Sequence, residues 1–263
     1  ITGDKYLDKL KGFDIIFRAP GCLPSKRELL EEKERGAYIT TEIEEVIKNA
    51  PCKIIGVTGS DGKTTTTTLI AKVLEGNGYH VWLGGNIGIP LFTQIGKMKS
   101  DDIVVLELSS FQLMGMDVSP DISVITNISP NHLDKHKDYQ EYIDSKLNIF
   151  RNSPGILVLN KDNEITREIK SSREIRYFSR YEETNSFYVI DDFIYYKGSR
   201  VFDTRKLHIR GRHNYENICA CMSAICDLVD IDKSFKVIEE FGGVEHRLEF
   251  VREINGVKWY NDS

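Results

Sequence analysis

The sequence predicts an α/β fold built on a central, mostly parallel sheet, with a small antiparallel sheet later in the chain. First, strand and helix patterns alternate from residue 53 to about residue 178. Second, the strands are continuous apolar runs, such as 103–106 and 156–159, which are typical of parallel strands covered on both faces. Third, residues 186–209 alternate β-branched, aromatic and polar residues, which indicates a small antiparallel meander.

The first 50 residues resemble part of a Rossmann-like α/β unit. The predicted elements are a strand at 13–17, a turn at Pro20 and Gly21, a helix ending near Gly36, a strand at 37–39 and a helix at 41–49. Ser25 and Glu28 have the spacing of a capping box at the start of the first helix. The Gly-rich turn that normally opens such a unit is not among these residues, so we predict a partial domain over residues 1–44.

The central unit, predicted to span residues 45–243, contains most of the strands and helices. Its predicted parallel strands are 53–58, 79–83, 102–108, 121–127, 155–160 and 174–178. Its predicted helices include 138–150, 213–229 and 233–241. A last strand at 257–260 falls in residues 244–263, which we interpret as the start of a further domain. Because both ends of the chain look cut, we expect it to be part of a longer protein.

The composition is that of a globular protein, with 40% hydrophobic and 29% charged residues and a net charge of −5. The chain has no basic stripe, so nucleic acid is not an expected partner. It has no run of about 18 apolar residues and no signal-peptide pattern, so no membrane span is expected. The five cysteines form no C-x-x-C pair, which favours buried free thiols. We therefore expect a cytoplasmic protein, and a monomer.

A phosphate-binding loop is predicted in residues 53–68, where an apolar strand leads into a Gly-rich turn and then an amphipathic helix. In this order the backbone N–H groups of the turn point at an anion, Lys63 neutralises a terminal phosphate, and Thr64 offers a hydroxyl to Mg²⁺. The usual spacing has a glycine five residues before Gly62, where this chain has Val57. The loop is therefore of a different subtype from that of ordinary kinases. The alternative is a Gly-rich turn with a chance Lys-Thr pair.

Polar side chains follow two other predicted strands at the point where each strand ends. Glu107 ends the strand at 102–108, and His132 and Asp134 lie just past the strand at 121–127. Because ligands of open α/β sheets bind beyond the carboxyl ends of the strands, Glu107 is well placed to bind Mg²⁺, with His132 close to it. A surface carboxylate and a structural histidine are the alternatives.

Lys146 lies in the middle of the apolar stripe of the predicted helix at 138–150. Tyr142 and Ile149 are among the residues three or four positions away from it. Its aliphatic stem can extend to water, which is the ordinary interpretation. Alternatively, burial lowers the pKa of the amine and leaves it neutral, and a neutral amine can react with CO₂ to form a metal-binding carbamate. The helical periodicity leaves both interpretations open.

Two amide side chains, Asn214 and Asn217, share one face at the start of the helix that follows the meander. Amide groups of this kind can contact a nucleobase or a ribose. The alternative is a polar cluster that caps the helix N-terminus.

Eight ordered motifs resemble those of the Mur ligases, and the resemblance as a whole covers about residues 10–263. The motifs are Val-Thr-Gly-Ser-Asp-Gly-Lys-Thr (57–64), Gly-Asn-Ile-Gly (85–88), Leu-Glu-Leu-Ser-Ser-Phe-Gln-Leu (106–113), Asn-His-Leu-Asp-Lys-His (131–136), Ser-Lys-Leu (145–147), Gly-Arg-His-Asn-Tyr-Glu-Asn (211–217), Glu-His-Arg-Leu-Glu (245–249) and Asn-Asp-Ser (261–263). The segments at 109–113 and 261–263 are similar to the members that add D-glutamate to UDP-N-acetylmuramoyl-L-alanine.

The resemblance implies a set of site residues. The implied ATP-binding residues are Gly59, Ser60, Asp61, Gly62, Lys63, Thr64, Thr65, Asn214, Asn217, Arg247 and Asp262. It implies two Mg²⁺ sites, one held by Thr64 and Glu107, and a second that involves Glu107, His132 and a carbamylated Lys146. Asn86 and His132 would lie near the UDP-sugar substrate, and the implied catalytic residues are Lys63, Glu107, His132 and Lys146. In this family the carbamate interpretation of Lys146 is the favoured one.

The implied reaction is ATP-dependent amide formation in peptidoglycan precursor synthesis. The substrate carboxylate attacks the γ-phosphate of ATP to give an acyl phosphate and ADP, and the amine of D-glutamate then displaces phosphate. Two alternatives stay open: a folylpolyglutamate synthetase-like ligase of the same fold, and a non-catalytic nucleotide-binding module. The family also has a Gly-rich uridine-binding turn, a lysine after Asn-Asp-Ser and a domain that holds D-glutamate. None of these is in this sequence, and Ala19 stands where a polar residue can contact the UDP part.

Overall fold

The structure is a computed structural model that describes residues 7, 9–130, 136–209, 211–244, 249–254 and 257–261. An N-terminal α/β unit comes first in the chain. Its elements are β1 (Ile15–Phe17), α1 (Arg27–Glu34), β2 (Tyr38–Thr40) and α2 (Glu42–Asn49). Strands β1 and β2 pair in parallel, as a partial Rossmann-like unit predicts.

The predicted capping box at the start of α1 is wrong. Lys26 occupies the N-cap position and its side chain makes no capping hydrogen bond. The reason is a tight turn just before the helix, in which the Lys26 N–H donates to the Leu23 carbonyl at 3.2 Å. This turn places Ser25 one residue too early to cap the helix.

A six-stranded parallel sheet forms the centre of the molecule. Its elements in chain order are β3 (Lys53–Thr58), α3 (Lys63–Gly76), β4 (Val81–Gly85), a short 3₁₀ helix (Phe92–Lys97), β5 (Ile103–Glu107), α4 (Ser110–Leu113), β6 (Ile122–Ile125), α5 (Tyr139–Arg151), β7 (Ile156–Asn160), a 3₁₀ turn (Thr166–Glu168) and β8 (Glu174–Phe178). The strand order is β4-β5-β3-β6-β7-β8, and every described pairing in this sheet is parallel. The predicted parallel sheet is confirmed.

A small antiparallel sheet and two helices follow, as the alternating pattern predicts. The elements are β9 (Phe187–Ile190), β10 (Phe193–Tyr196), β11 (Ser199–Asp203), a 3₁₀ turn (Thr204–Lys206), α6 (His213–Ile225) and α7 (Ile231–Glu240). Strand β10 pairs with both of its neighbours in antiparallel fashion. Near the end of the chain, β12 (Glu249–Ile254) pairs antiparallel with β13 (Val257–Asn261), and β12 has no counterpart among the predicted strands.

The parallel sheet is buried on both faces because its strands alternate between two hydrophobic cores. Ile55 and Val57 point into a core shared with α3, α6 and α7. Ile54 and Leu106 point into the opposite core, shared with α2, α4 and α5. This double burial explains why the strands are continuous apolar runs in the sequence. None of the described helices is both long and apolar enough to span a membrane.

Candidate nucleotide and metal site

The phosphate loop joins β3 to α3 and depends on two glycines. Gly62 is the N-cap of α3 with a φ of +79°, and Gly59 has a φ of +153°, both of which favour glycine. A Cβ atom at Gly62 would lie 2.3 Å from Oδ1 of Asn217, and one at Gly59 would lie 1.9 Å from Oγ1 of Thr126. The loop is therefore enclosed by side chains that leave room only for glycine.

The end of β6 holds the loop from the side. The Thr126 hydroxyl donates to the Asp61 carbonyl at 2.6 Å, and the Asn127 side chain accepts from the Asp61 N–H at 3.0 Å. Ser60 donates its N–H to the Asn127 carbonyl at 2.9 Å. The central part of the loop is thus held in place by the protein's own hydrogen bonds, which lowers the entropy that binding has to remove.

Ser60 is held from the other side by α5. Its hydroxyl forms a 2.8 Å hydrogen bond with the hydroxyl of Tyr142, and the Ser129 N–H donates to it at 2.9 Å. Tyr142 is fully buried. The phosphate loop is consequently tied to the helix that carries Lys146.

Lys63 and Lys146 converge on one backbone carbonyl. Lys146 Nζ donates to the Gly59 oxygen at 2.7 Å, and Lys63 Nζ donates to the same oxygen at 3.0 Å and to the Ser60 oxygen at 2.8 Å. Lys146 is buried, and its Nζ lies 4.6 Å from the centre of the Tyr142 ring. Burial, with a smaller contribution from the Lys63 charge, lowers the pKa of Lys146 to about 7. The alternative in which Lys146 extends to water does not describe this structure.

Glu107, at the carboxyl end of β5, is buried rather than on the surface. Its Oε1 accepts a 3.0 Å hydrogen bond from the Asn86 side chain, whose backbone N–H also donates to the Glu107 carbonyl at 2.8 Å. Its other oxygen, Oε2, is buried and has no hydrogen-bond partner in the described structure. A buried carboxylate oxygen without a partner is costly unless a ligand satisfies it.

The two amides of α6 meet the first turn of α3. Asn217 Nδ2 donates to Asn214 Oδ1 at 2.9 Å, and the Thr66 hydroxyl donates to Asn217 Oδ1 at 3.3 Å. Both asparagines are buried, and Asn217 also fills the space beside Gly62. They therefore form part of the wall of the phosphate loop, and the N-cap residue of α6, Arg212, makes no side-chain capping bond.

Two neighbouring cavities meet at Asn86. The smaller, of about 300 Å³, is lined by Pro20, Gly21, Ser60, Lys63, Asn86, Ser109, Ser110, Phe111, Tyr142 and Lys146. The larger, of about 670 Å³, lies between the N-terminal unit and the segment after β4 and includes Arg18, Ala19, Asn86 and Phe92 in its lining. A small polar chamber beside the phosphate loop thus adjoins a large, mostly apolar one.

The fold therefore brings most of the residues singled out in the sequence to one edge of the sheet. Asp61 is exposed in the loop, and Thr64 and Thr65 lie in the first turn of α3. His132, Arg247 and Asp262 lie outside the described residues. Among the described residues, no group of three or more His, Cys, Asp or Glu side chains is placed to hold a metal ion. The expected metal sites would need the Thr64 hydroxyl, His132 and a modified Lys146 in addition to Glu107.

Sequence reasoning did not single out the residues that support the loop. Thr126 and Asn127 directly follow β6, Tyr142 precedes Lys146 by one helical turn, and His136 packs against the ring of Phe111. The position of Thr126 and Asn127 at a strand end next to β3 was a usable signal, because adjacent parallel strands end at the same edge. The contacts of Tyr142 and His136 depend on tertiary packing and had no signal in the sequence.

Residues 57–225 match the sequence profile of the Mur ligase middle domain. A UDP-N-acetylmuramoylalanine–D-glutamate ligase of Clostridium botulinum strain Langeland is 50% identical over 268 aligned positions, which cover all of this chain and 58% of that protein. The same enzyme of strain Loch Maree is 49% identical with the same coverage. The chain thus spans 58% of the length of the curated relatives it matches.

Solved structures show the same fold. MurC from Thermotoga maritima has a TM-score of 0.67 and 21% identity, over 97% of this chain and 61% of that one. MurF from Acinetobacter baumannii has a TM-score of 0.66 and 19% identity, over 86% of this chain and 56% of that one.

Proposed function

Because the chain belongs to the Mur ligase family, we propose that it carries the nucleotide-binding and phosphoryl-transfer site of an ATP-dependent ligase. The ligase adds D-glutamate to UDP-N-acetylmuramoyl-L-alanine and releases ADP and phosphate. Relatives that are 50% identical to this chain bear the name of this enzyme, which favours this activity over that of a folylpolyglutamate synthetase-like ligase. The supporting observation is that Lys63 and Lys146 converge at one phosphate loop, beside a cavity shared with the Asn86–Glu107 pair.

The described residues fit a bound Mg²⁺. Hard cations take oxygen ligands, and Glu107 Oε2 is a buried carboxylate oxygen that lacks a partner at the carboxyl end of β5. The Thr64 hydroxyl lies in the first turn of α3, where phosphate-loop proteins place a metal ligand. We infer that Thr64 and Glu107 hold one Mg²⁺ and that Glu107, His132 and Lys146 take part in a second. When bound, Mg²⁺ offsets the charge of the phosphates during transfer.

Lys146 also fits a carbamate. A primary amine must be neutral to react with CO₂, and burial lowers the pKa of this amine to about 7. Its Nζ faces a chamber of about 300 Å³, which has room for the three added atoms. The modification would replace a cation by an anion beside Lys63, and so remove the repulsion between the two ammonium groups.

The protein's own groups perform three tasks in the reaction. The backbone of residues 59–62, held by Thr126 and Asn127, positions the phosphates of ATP. Lys63 leaves the Gly59 and Ser60 carbonyls and donates to the transferring phosphoryl group, where it stabilises the charge of the transition state. Asn86, at the junction of the two cavities, orients the carboxylate of the muramoyl substrate toward that group.

We infer three functional parts: a UDP-substrate part in 1–44, an ATP-binding domain in 45–243 and the start of a ligase domain in 244–263. Asn214 and Asn217, with Arg247 and Asp262, would contact the nucleotide. The large cavity suits the UDP-sugar, although Ala19 in its lining offers no side-chain hydrogen bond. All five cysteines are free thiols, which supports a location in the reducing cytoplasm. We also infer that the protein is a monomer.

The test is to incubate the complete protein with ATP, Mg²⁺, the UDP-muramoyl-alanine substrate and D-glutamate. We expect stoichiometric ADP and a product whose mass is higher by one glutamate residue. Glutamate added to a folate in place of the muramoyl substrate would support the other ligase class. Tight nucleotide binding with no ADP release would support a non-catalytic module.

A further inference from the structure

A serine that the proposed mechanism does not use lines the small chamber, and a buried histidine forms a hydrogen bond with it. Ser110 lines the chamber together with Lys63 and Lys146. Its hydroxyl oxygen lies 2.9 Å from Nε2 of His136, and both side chains are buried. The pair joins the first residue of α4 to the segment that leads into α5, and its serine faces the chamber beside the phosphate loop.

His136 is held rigidly. The ring of Phe111 stacks on it with centroids 4.8 Å apart and planes 16° from parallel, and the ring of Tyr142 meets it edge-on at 5.2 Å. These two contacts fix the plane of the imidazole, and the hydrogen bond to Ser110 selects the edge on which Nε2 lies. The Ser110 hydroxyl therefore has one preferred orientation before any substrate binds.

The neighbouring charge indicates how the proton is placed in this pair. A carboxylate oxygen of Glu141 lies 3.5 Å from Nδ1 of His136 and is kept there by the N–H of Lys137 at 2.8 Å. A negative charge on this side favours the tautomer with its proton on Nδ1. Nε2 then accepts the Ser110 proton, and the lone pairs of the Ser110 oxygen are directed away from His136.

The other serine hydroxyls of the chamber are already engaged. Ser60 bonds to Tyr142 and accepts from a backbone N–H, while Ser109 exchanges hydrogen bonds with Gln112. The two lysines in the wall, Lys63 and Lys146, are suited to anions. Ser110 is thus the serine whose oxygen retains acceptor capacity toward a cationic group.

We propose that Ser110 accepts a hydrogen bond from the ammonium group of the incoming amino acid, and that His136 is the positioning residue that holds the Ser110 hydroxyl in the accepting orientation. This inference rests on the proposed ligase function and assigns a contact to its second step. The contact places the amine in the small chamber, next to the carbonyl carbon that becomes activated there.

The test separates the two halves of the reaction in the complete protein. Acyl phosphate formation is measured without D-glutamate, by trapping with hydroxylamine, and amide formation is measured over a range of D-glutamate concentrations. Ser110→Ala should form the trapped product within about threefold of the wild-type rate. Its KM for D-glutamate should rise by about tenfold or more, since a hydrogen bond to a charged group is lost.

Further variants separate positioning from folding. His136→Phe keeps the ring stack but removes Nε2, and it should raise the same KM with little effect on trapping. Ser110→Thr restores the hydroxyl and should restore the KM. Ser186→Ala, which removes a buried hydroxyl bonded only to Ser223 on another element, is the matched control and should leave both measurements unchanged.

The outcomes divide cleanly. Equal losses in trapping and in amide formation, or an unchanged KM for D-glutamate in both Ser110→Ala and His136→Phe, would overturn the inference. A wild-type protein that forms neither hydroxamate nor amide would overturn the proposed function, and the inference with it.

Discussion

The burial of Lys146, a residue that we propose takes part in catalysis, lowers the stability of the fold near neutral pH. The residue is 2% exposed, and the pKa of its amine is lowered from 10.5 to about 7, first by burial and then by the charge of Lys63. Between these pH values the unfolded chain holds a proton that the folded chain has largely released. Stability therefore increases as the pH rises from 7 toward 10, and below pH 7 the full cost of the buried charge is present.

The first prediction is that Lys146→Met stabilises the fold while abolishing ligase activity. Methionine has a similar shape and no charge, and Lys63 still donates to the Gly59 carbonyl. In CO₂-free buffer we expect a melting temperature several degrees above wild type near pH 6.5, and a difference that shrinks toward pH 9.5. Lys72→Met, at an exposed position of α3, is the control. A difference that does not change with pH would contradict this account.

The second prediction concerns Lys63. Its replacement by alanine removes the charge that neutralises the transferring phosphate, a loss worth about 3–4 kcal/mol in comparable sites. ATP turnover by the complete enzyme should fall by on the order of a hundredfold or more. Lys72→Ala, on the same helix but exposed, should retain wild-type turnover. Turnover of Lys63→Ala within threefold of wild type would show that the loop does not hold phosphate as proposed.

At the scale of elements, the junction of β3 and α3 needs a glycine for two reasons. The backbone of Gly62 is left-handed, and Asn217 packs directly against it. Gly62 and Gly78 flank the two ends of α3 and both have positive φ, +79° and +98°. A Cβ at Gly62 would collide with Asn217, whereas nothing lies within 4 Å of one at Gly78. Substitutions at these two glycines therefore distinguish the effect of backbone strain, present at both, from the effect of a steric clash, present only at Gly62.

The third prediction follows from that pair. Gly78→Ala should cost about 1 kcal/mol of stability and leave nucleotide binding unchanged. Gly62→Ala should carry the same strain and also displace Asn217, so we expect nucleotide affinity to fall by about tenfold or more. Calorimetric titration with ATP and Mg²⁺ measures both variants. Equal nucleotide affinities for both would mean that the contact with Asn217 is not required.

The strands and helices were predictable where buried apolar residues define them. Their ends were less predictable where a glycine or a turn lies at the boundary. All six parallel strands were predicted, but β4 runs over Val81–Gly85 rather than 79–83. The N–H of Tyr79 is still bonded to the Leu74 carbonyl at the end of α3, and β4 continues through Gly84 and Gly85. Two consecutive glycines are usually predicted to form a turn. Here they lie within the strand because Leu91 leaves no space for a side chain at Gly84 and Glu107 leaves none at Gly85. Likewise α6 ends at Ile225, four residues before the predicted end.

The site was predictable to the extent that motifs carry it. The sequence located the loop, Glu107, Lys146 and the asparagine pair, because each occupies a strand end or a helix face that periodicity reveals. It did not reveal that Glu107 Oε2 lacks a partner or that the two lysines share a carbonyl, since those facts depend on three-dimensional packing.

At the scale of the whole molecule, the N-terminal unit has a hydrophobic cluster of its own, separate from the two cores of the central sheet. Arg18, which is buried, connects the two parts. Its guanidinium donates to the Cys22 carbonyl within the unit and to the Met114 carbonyl just after α4, each at 2.8 Å. Arg18 also lines the large cavity, so the residue that connects the two parts borders the proposed UDP-substrate site.

The fourth prediction is that Arg18→Met loosens the N-terminal unit without affecting nucleotide binding. We expect faster amide hydrogen exchange over 15–40 and an affinity for the UDP-substrate lower by on the order of tenfold, because two hydrogen bonds from a charged group are lost. Arg173→Met is the control, since its guanidinium bonds only within the central domain, to atoms such as the Ser153 carbonyl and Ser123 Oγ. Arg173→Met should lower the melting temperature without a selective increase in hydrogen exchange over 15–40. Uniformly faster exchange in Arg18→Met would refute the link.

The shared carbonyl of Gly59 has a consequence for the enzyme at rest. Two cations held on one oxygen repel each other, and any small anion that enters the chamber relieves that repulsion. Inorganic phosphate should therefore raise the melting temperature more than chloride at equal ionic strength. The gain should be larger at pH 6 than at pH 8.5, because Lys146 is charged only below about pH 7, and it should vanish in Lys63→Ala. A gain of the same size in that variant would point to a general salting effect. Below about pH 7, and with Lys146 unmodified, phosphate would then occupy the chamber and ATP would have to displace it, whereas a carbamate on Lys146 would remove this effect.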